Sequence, residues 1–507
     1  MMFRSKRMAA VVAAVALSLA GCSAGGDASA EQSSQTLTLG AIQSPKTFDA
    51  SQSEFANLSP FYQAVYDTLL RMEPDGTLVP MLATEWKYND DKTVLTLKLR
   101  DDVKFTDGTA FNADAAKQNL ERFKAGTSPD AQFLAALKSA TAVDATTLEL
   151  TLSAPDPAFL NYLSKDASFM QSPASFANAD IATNPVGSGP YILDTAATVT
   201  GTSYTYKSNP DYWAKDLVHY DQLVLNVYLD QTSLLNAIKS GTLNGANTID
   251  NNTLTEIEAA GYKVNPLQLN WSGLLIFDRA GTTNPALKDV RVRQALNYAF
   301  DTKALLESIG QGHGEQTAQV FPPSSDAYDK SLDSRYAYDP AKAKALLAEA
   351  GYASGLTLTL PSSALLGNTI PALITQQLKD VGITAEFTDT GNNFIADLLA
   401  PKYGVSYMIL EQQSDWQLIN MKLTANAPWN PYNYEDPKVD ELVNKIHVGS
   451  ADEQKAAAKE LNKYIVEQAW FAPWFRPQSS FVTDAKTNVE VQTGNAYPFL
   501  WSFTPAS

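Results

Sequence analysis

A short apolar run followed by a helical pattern marks the middle of the chain. Residues 274–277 are all apolar and lie between Gly273 and Asp278, which favours a strand buried on both faces, although a buried helical turn has the same periodicity. In residues 289–300 the apolar positions take the spacing of one helix face. We expect the chain to pass here from one lobe to another. The predicted apolar helix face consists of Val292, Ala295, Leu296 and Ala299.

Strands and helices alternate on both sides of this central segment. The predicted strands are residues 36–41, 94–100, 148–152, 356–360, 383–387 and 407–410. The predicted helices are residues 61–70, 115–123, 340–350, 370–378 and 451–468. This βαβ rhythm indicates an α/β protein. The apolar residues 470–475, interrupted by Pro473, are the candidate for a strand that returns to the first lobe.

Length and composition narrow the class of protein. A chain of 507 residues exceeds one ordinary hydrophobic core, so two or three packed units are expected. The formal net charge of −17 falls to −20 without residues 1–21, which hold three cations and no acidic residue. This acidic balance argues against nucleic-acid binding. Because Cys22 is the single cysteine and the three histidines are far apart in sequence, neither a metal site nor a cofactor is predicted.

Residues 1–21 have the pattern of an export signal. Three cations precede the apolar residues 8–20, which are too few for a membrane span, since a span needs roughly 18 to 20 apolar residues. The stretch ends in Leu-Ala-Gly-Cys, which resembles a bacterial lipobox with Cys22 as the lipidated first residue of the mature protein. An ordinary cleaved signal with an incidental cysteine is the alternative. Residues 22–35, rich in Ser, Ala, Gly and Gln, are predicted to form a flexible tether.

Five sequence blocks carry a family resemblance. They are residues 80–87 (PMLATEWK), 97–109 (LKLRDDVKFTDGT), 185–191 (PVGSGPY), 289–301 and 338–351. In this order they resemble the peptide/nickel branch, family 5, of the solute-binding proteins that serve ABC importers. The resemblance implies an α/β, periplasmic-binding-protein-like fold of type II, cluster C, with two lobes, an extra subdomain and a hinge of two crossing strands.

The resemblance also implies how the chain is divided and where it works. Lobe I would comprise residues 36–74, 186–277 and 471–507, the inserted subdomain residues 75–185, and lobe II residues 278–470. The protein is expected to act as a monomer on the extracytoplasmic face of the bacterial cell membrane, held by a lipid anchor on Cys22. Its partners would be a small solute and an ABC permease with a separate ATPase. It would not be an enzyme.

Candidate ligand-binding residues lie where loops of the two lobes should face each other, because hinge closure buries a ligand there. In peptide-binding members of the family an aspartate in a similar region pairs with the α-ammonium group of the peptide, and Asp415 is the candidate for that role. The chain departs from the family pattern after the aromatic residue, where relatives carry an Asp-Pro pair and this sequence has Gln417 and Leu418. The candidates are Phe48, Asn270, Trp271, Gln412, Gln413, Ser414, Asp415, Trp416, Trp429 and Tyr432.

Each candidate also has a structural interpretation. Trp271 suits the packing of a hinge, residues 412–416 suit a solvated loop, and Phe48 suits a hydrophobic core. A peptide is the first choice of ligand. An oligosaccharide is the second, since aromatic rings beside amide groups suit sugars, and a nickel chelate is the third. An exported hydrolase is the alternative from another class, although the chain lacks Gly-x-Ser-x-Gly and His-Glu-x-x-His motifs.

Overall fold

The structure, a computed structural model, describes residues 35–492 and 494–506, so Cys22, the predicted signal peptide and nearly all of the predicted tether lie outside the described residues. The strands are β1 Thr36–Ala41, β2 Leu70–Met72, β3 Leu78–Pro80, β4 Ala83–Tyr88, β5 Val94–Leu99, β6 Leu137–Asp144, β7 Thr147–Leu152, β8 Tyr191–Leu193, β9 Ser203–Ser208, β10 Gln222–Val227, β11 Gly245–Thr248, β12 Lys263–Gln268, β13 Asn270–Ile276, β14 Gly314–Gln316, β15 Leu356–Ser362, β16 Ile383–Asp389, β17 Val405–Glu411, β18 Phe471–Thr483, β19 Thr487–Asn488 and β20 Thr504–Pro505. The helices are α1 Ser59–Gln63, α2 Ala113–Ala125, α3 Phe159–Tyr162, α4 Gln231–Lys239, α5 Leu254–Ala259, α6 Val290–Tyr298, α7 Thr302–Ile309, α8 Pro340–Glu349, α9 Thr369–Asp380, α10 Phe394–Leu398, α11 Asp415–Leu418, α12 Pro437–Val448 and α13 Ala451–Glu467. Among the described residues, no helix is long and apolar enough to cross a membrane.

The largest sheet is built around two antiparallel segments of the chain. β12 and β13 follow each other along the chain, and both pair with the 13-residue strand β18. The first half of β18 lies beside β13 and the second half beside β12 and β11. Beyond β11 the sheet continues through β1, β10, β9 and β8, while β17 pairs with the other side of β13. These segments correspond to the two crossing strands that the sequence predicts.

Two prolines in β18 are accommodated by glycines on the neighbouring strands. A proline cannot donate a backbone hydrogen bond, so within a sheet it is found at edges or bulges. Pro473 lies opposite Gly273, beside a register shift in β13, and a Cβ atom on Gly273 would lie 2.4 Å from the carbonyl oxygen of Ala472. Pro477 lies opposite Gly314 of β14. The paired proline and glycine positions let the long strand continue through the core.

β13 is buried on both faces, as its apolar sequence predicts. Leu274 and Ile276 pack into one hydrophobic cluster, whereas Trp271 and Leu275 pack into another. Side chains alternate across a strand, so each face of β13 contributes to a different core. The strand therefore joins two packed regions.

Smaller sheets flank this centre. An antiparallel sheet of order β4-β5-β7-β6 packs against α2, and β15 lies parallel to β16. The start of α8 follows the predicted punctuation, because Asp339 accepts a hydrogen bond from the backbone N–H of Lys342 at 2.9 Å and Pro340 occupies the first helical position. The structure thus alternates strands and helices through residues 340–411, as predicted.

The predicted helix of residues 61–70 is wrong in its extent. α1 ends at Gln63, and the chain becomes extended by Leu70. The carbonyl oxygens of Ala64 and Val65 accept hydrogen bonds from the backbone N–H groups of Tyr191 and Gly189. Because a distant loop takes these acceptors, they are not available to continue a helix.

We expect Gly187→Ala to destabilise the fold by about 3 kcal/mol, the upper end of the usual cost of overpacking. A Cβ atom at this position would lie 1.9 Å from the carbonyl oxygen of Val65, a backbone atom that cannot turn away. Gly201→Ala is the control, since its added Cβ would meet no atom within 4 Å and only its left-handed backbone costs about 1 kcal/mol. Urea unfolding of both variants measures the difference, and equal losses would contradict the packing argument.

Candidate functional site

A cavity of about 510 Å³ is lined by stretches that are far apart in the sequence. Phe55, Asn161 and Lys165 contribute from the N-terminal third of the chain. Residues 411–417, which include the end of β17 and the start of α11, contribute together with Asn495 from the C-terminal part. The cavity therefore forms between segments that are distant in sequence and adjacent only in the tertiary structure.

Five predicted residues line this cavity side by side. They are Gln412, Gln413, Ser414, Asp415 and Trp416. The amide Nε2 of Gln412 donates to the carbonyl oxygen of Asn270 at 3.0 Å, which ties the loop to β13. The ring of Trp416 stacks on His447, with 4.9 Å between the ring centroids. The loop after β17 is therefore held at both ends.

The three predicted residues nearer the N-terminus are not part of the cavity lining. Asn270 is half-buried and pairs with Glu411 across the ladder of β13 and β17. Trp271 is fully buried and packs edge-to-face on Phe471. Phe48 is buried in a separate aromatic cluster. In this conformation both aromatic rings support the cores.

Trp429 and Tyr432 are not part of the cavity lining. The hydroxyl of Tyr432 lies 3.0 Å from the Thr283 hydroxyl. Between the two aromatic residues, the buried Asn430 accepts a hydrogen bond of 2.8 Å from the Arg279 guanidinium. These contacts fix the segment against the loop that follows β13.

The carboxyl group of Asp415 is held in crowded surroundings at the start of α11. Burial raises its pKa above the ordinary value, and the nearby Asp326 carboxylate raises it further. Hydrogen bonds from the Ser325 hydroxyl and from the backbone N–H groups of residues 326 and 327 oppose this rise. A cation placed beside this carboxylate would favour its charged form.

A buried lysine supports the same loop from behind. Lys422 is 3% exposed, and its Nζ donates a hydrogen bond to the Oε1 atom of Gln413. Burial lowers the pKa of Lys422 to about 8, while the negative charge of Glu411 acts in the opposite direction. The side-chain oxygen of Gln413 is thus committed to Lys422 and does not face a ligand freely.

Several residues that line the cavity were not predicted from the sequence. Glu411 is the last residue of β17 and directly precedes the predicted residues 412–416, so its position in the sequence was a signal that could have identified it. Phe55, Asn161 and Lys165 follow no local signal, because their place in the lining comes from tertiary packing alone. No group of histidine, cysteine and acidic residues suited to a metal ion occurs in the described part of the chain.

A second space adjoins the first. It has a volume of about 1040 Å³ and is lined by β14, by residues 328–337 and by the end of β12. Gln492 contributes to both linings, and the segment of residues 322–324 runs along both. A ligand longer than the first cavity could therefore extend into this space.

The family model described as "Bacterial extracellular solute-binding proteins, family 5 Middle" matches residues 77–444. The chain belongs to this family. It is 30% identical over 455 residues to the glutathione-binding protein GsiB of Escherichia coli strain K12, covering 83% of this chain and 86% of that protein. The family supplies solute-binding proteins to ABC importers, and the chain is one of them.

Two solved structures share the fold. DppA from Helicobacter pylori in complex with the peptide STSA superposes with a TM-score of 0.73 at 21% identity, covering 94% of this chain and 99% of that one. NikZ from Campylobacter jejuni in complex with Ni(L-His) gives a TM-score of 0.70 at 20% identity, with coverages of 92% and 99%. The predicted periplasmic-binding-protein-like, two-lobed α/β fold is confirmed.

We expect Lys422→Met to change how stability depends on pH. The folded pKa of about 8 lies below the ordinary value of 10.5, so between these values the unfolded chain holds a proton that the folded chain lacks. Wild-type stability should therefore gain about 2 kcal/mol from this group between pH 7.5 and 9.5. The variant should lack that gain.

Urea unfolding at several pH values measures the difference between the two proteins. Lys344, an exposed lysine on α8, provides the control, and Lys344→Met should follow the wild-type profile. Parallel profiles of wild type and Lys422→Met would contradict the assigned burial of the ammonium group.

Proposed function

We propose that the protein is an extracytoplasmic substrate-binding lipoprotein that captures a small peptide and delivers it to an ABC permease. The observation that carries this proposal is the cavity lined by residues 411–417 together with Phe55, Asn161 and Asn495. Its volume of about 510 Å³ lies within the range of small-ligand sites. Gln412, Gln413, Ser414 and Trp416 would contact the peptide there.

Asp415 is the proposed partner of the peptide's α-ammonium group. Its carboxylate lies in the cavity lining, where burial weakens competition from water. A hydrogen bond between charged groups contributes about 1.5 to 3 kcal/mol. The peptide bound to the related DppA and the name of the relative GsiB both support a short peptide as the ligand class.

The chain would be divided into two lobes and one inserted subdomain. Lobe I would comprise residues 36–74, 186–277 and 471–507, the subdomain residues 75–185, and lobe II residues 278–470. Cys22 would carry the lipid anchor that holds a monomer to the cell membrane. The partner ATPase would supply energy, and this chain would perform no catalysis.

A ligand screen tests the proposal. Purified full-length protein in detergent is expected to show a raised melting temperature with di- to pentapeptides, because a ligand at 100 times its Kd stabilises the folded state by about 2.7 kcal/mol. Oligosaccharides and nickel chelates form the other arms of a thermal-shift experiment. A shift with either of these and none with peptides would overturn the peptide assignment, and turnover of peptides or glycosides would favour the hydrolase.

Asp415→Asn should weaken peptide binding about tenfold or more, which corresponds to roughly 1.4 kcal/mol. The amide keeps the size of the side chain but cannot balance an ammonium charge. Asp90→Asn is the control, since Asp90 is exposed in the turn between β4 and β5. Calorimetric titration with one peptide measures all three proteins, and an unchanged affinity for Asp415→Asn would remove this residue from the site.

A further inference from the structure

Glu411 ends β17 with its side chain open to the cavity. Alternation along the strand puts it on the same face as Ile409, which is 46% exposed. Within the described part of the chain, its carboxylate has neither a hydrogen bond nor an ion-pair partner within 4 Å. A carboxylate that lines a cavity without a partner is available to a ligand.

The two lysines near Glu411, Lys165 and Lys422, do not form an ion pair with it. Desolvation by the surrounding protein raises the pKa of Glu411. The positive charges of Lys165 and Lys422 act in the opposite direction and offset only part of this rise. The ammonium group of Lys422 is directed to Gln413. The Lys165 ammonium lies 5.7 Å from the centre of the Phe55 ring. Glu411 is therefore a charged group that the protein itself leaves unpaired.

Two amide side chains in the same lining have a side-chain oxygen without a hydrogen-bond partner. Gln412 uses its Nε2 to reach Asn270, and Gln492 donates its Nε2 to the Tyr497 carbonyl oxygen at 2.6 Å. Because both donors meet backbone carbonyls, the orientation of each amide is fixed. The Oε1 atoms of both residues, buried at 4% and 3% exposure, have no hydrogen-bond partner. Each amide therefore keeps one buried acceptor oxygen to which no group of the described chain donates.

The charged lining is also predominantly acidic. Among the described lining residues, four carboxylates accompany two lysines, a surplus of two negative charges. One of these lysines, Lys455, already pairs with Asp326 at 2.9 Å. Lys165 is then the one lining ammonium in the described chain without a carboxylate partner. A ligand with two carboxylates and one ammonium, such as glutathione, would find too few cations here.

We propose that Glu411 is a second cation-binding residue, and that the ligand is a peptide carrying a basic side chain near the α-ammonium group held by Asp415. Both carboxylates belong to the lining of one cavity of about 510 Å³, and a single N-terminal lysyl or arginyl residue would place one positive charge on each of them. Lys165 would receive the single carboxylate of such a peptide. This inference rests on the proposed function and narrows its substrate class.

Calorimetric titration of the full-length protein in detergent with two matched tripeptides tests the inference. Lys-Ala-Ala and norleucyl-Ala-Ala have side chains of similar length, and only the first carries a second positive charge. We expect wild-type protein to bind the lysyl peptide roughly tenfold or more tightly, the equivalent of one charge-assisted contact. Equal affinities would overturn the role of Glu411 while leaving the proposed peptide function intact.

Glu411→Gln should remove this preference, so that the lysyl and norleucyl peptides bind with similar affinity. Glu386→Gln, on the exposed face of β16, is the matched control and should retain the wild-type preference. A persistent preference in Glu411→Gln would contradict the assignment. The comparison of the two peptides on wild-type protein needs no variant, so it stands even if the substitution impairs folding.

Two further ligands separate the possible outcomes. Glutathione is expected to bind at least tenfold more weakly than Lys-Ala-Ala, and tighter binding of glutathione would overturn the inference. Spermidine carries three amine groups and no peptide bond. Binding of spermidine with no binding of either tripeptide would overturn the peptide function itself, while supporting the second cation site.

Discussion

The antiparallel pairing of β18 with β12 and β13 is the constraint on which the rest of the structure depends. In a strand a shift of one residue exchanges the two faces. Here such a shift would turn Trp271 out of one core and Leu274 out of another. The pairing of Pro473 with Gly273 at a register irregularity makes the alignment specific. The two cores are therefore coupled through one short ladder.

The same ladder positions residues 412–416, which line the cavity. β17 pairs with β13 along its whole length, and the last pair joins Asn270 to Glu411. The loop that begins after Glu411 is tied back to β13 by the side chain of Gln412. Because β13 is rigidly packed on both faces, the place where the loop starts is set by the core. Side chains that begin at the end of a rigidly packed strand are held more precisely than side chains on a free loop.

Sequence patterns predicted the elements that depend on local chemistry. The first strand is observed at the predicted residues, and α8 begins at the predicted cap because Asp339 acts on its own neighbours. The helix predicted over residues 61–70 is too long, because backbone N–H groups of the loop near Gly189, which is distant in sequence, donate to the carbonyl oxygens that a longer helix would need. Local patterns carry no information on such a competitor.

The candidate site was predictable to a similar degree. The residues after β17 that line the cavity could be proposed from the sequence, because polar side chains at the carboxyl end of a buried strand are typical of ligand sites. The position of Trp271 could not be resolved in the same way, since β13 is apolar on both faces and its pattern does not distinguish them. Lys165 and Phe55 lie more than 200 residues from this loop in sequence, and only packing brings them into one lining.

The negative charges in the cavity lining would make the conformational equilibrium of the protein depend on the charge of a bound ligand. Two carboxylates, Asp415 and Glu411, share a lining in which burial already disfavours their charged forms. Bringing the walls closer without a cation would disfavour both charged forms further, because the water that solvates them would be excluded. A ligand that supplies positive charge reverses the sign of this interaction. A conformational equilibrium shifts only by the difference in ligand affinity between its states, and in this cavity that difference would come from the pairing of the ligand's cations with these two residues.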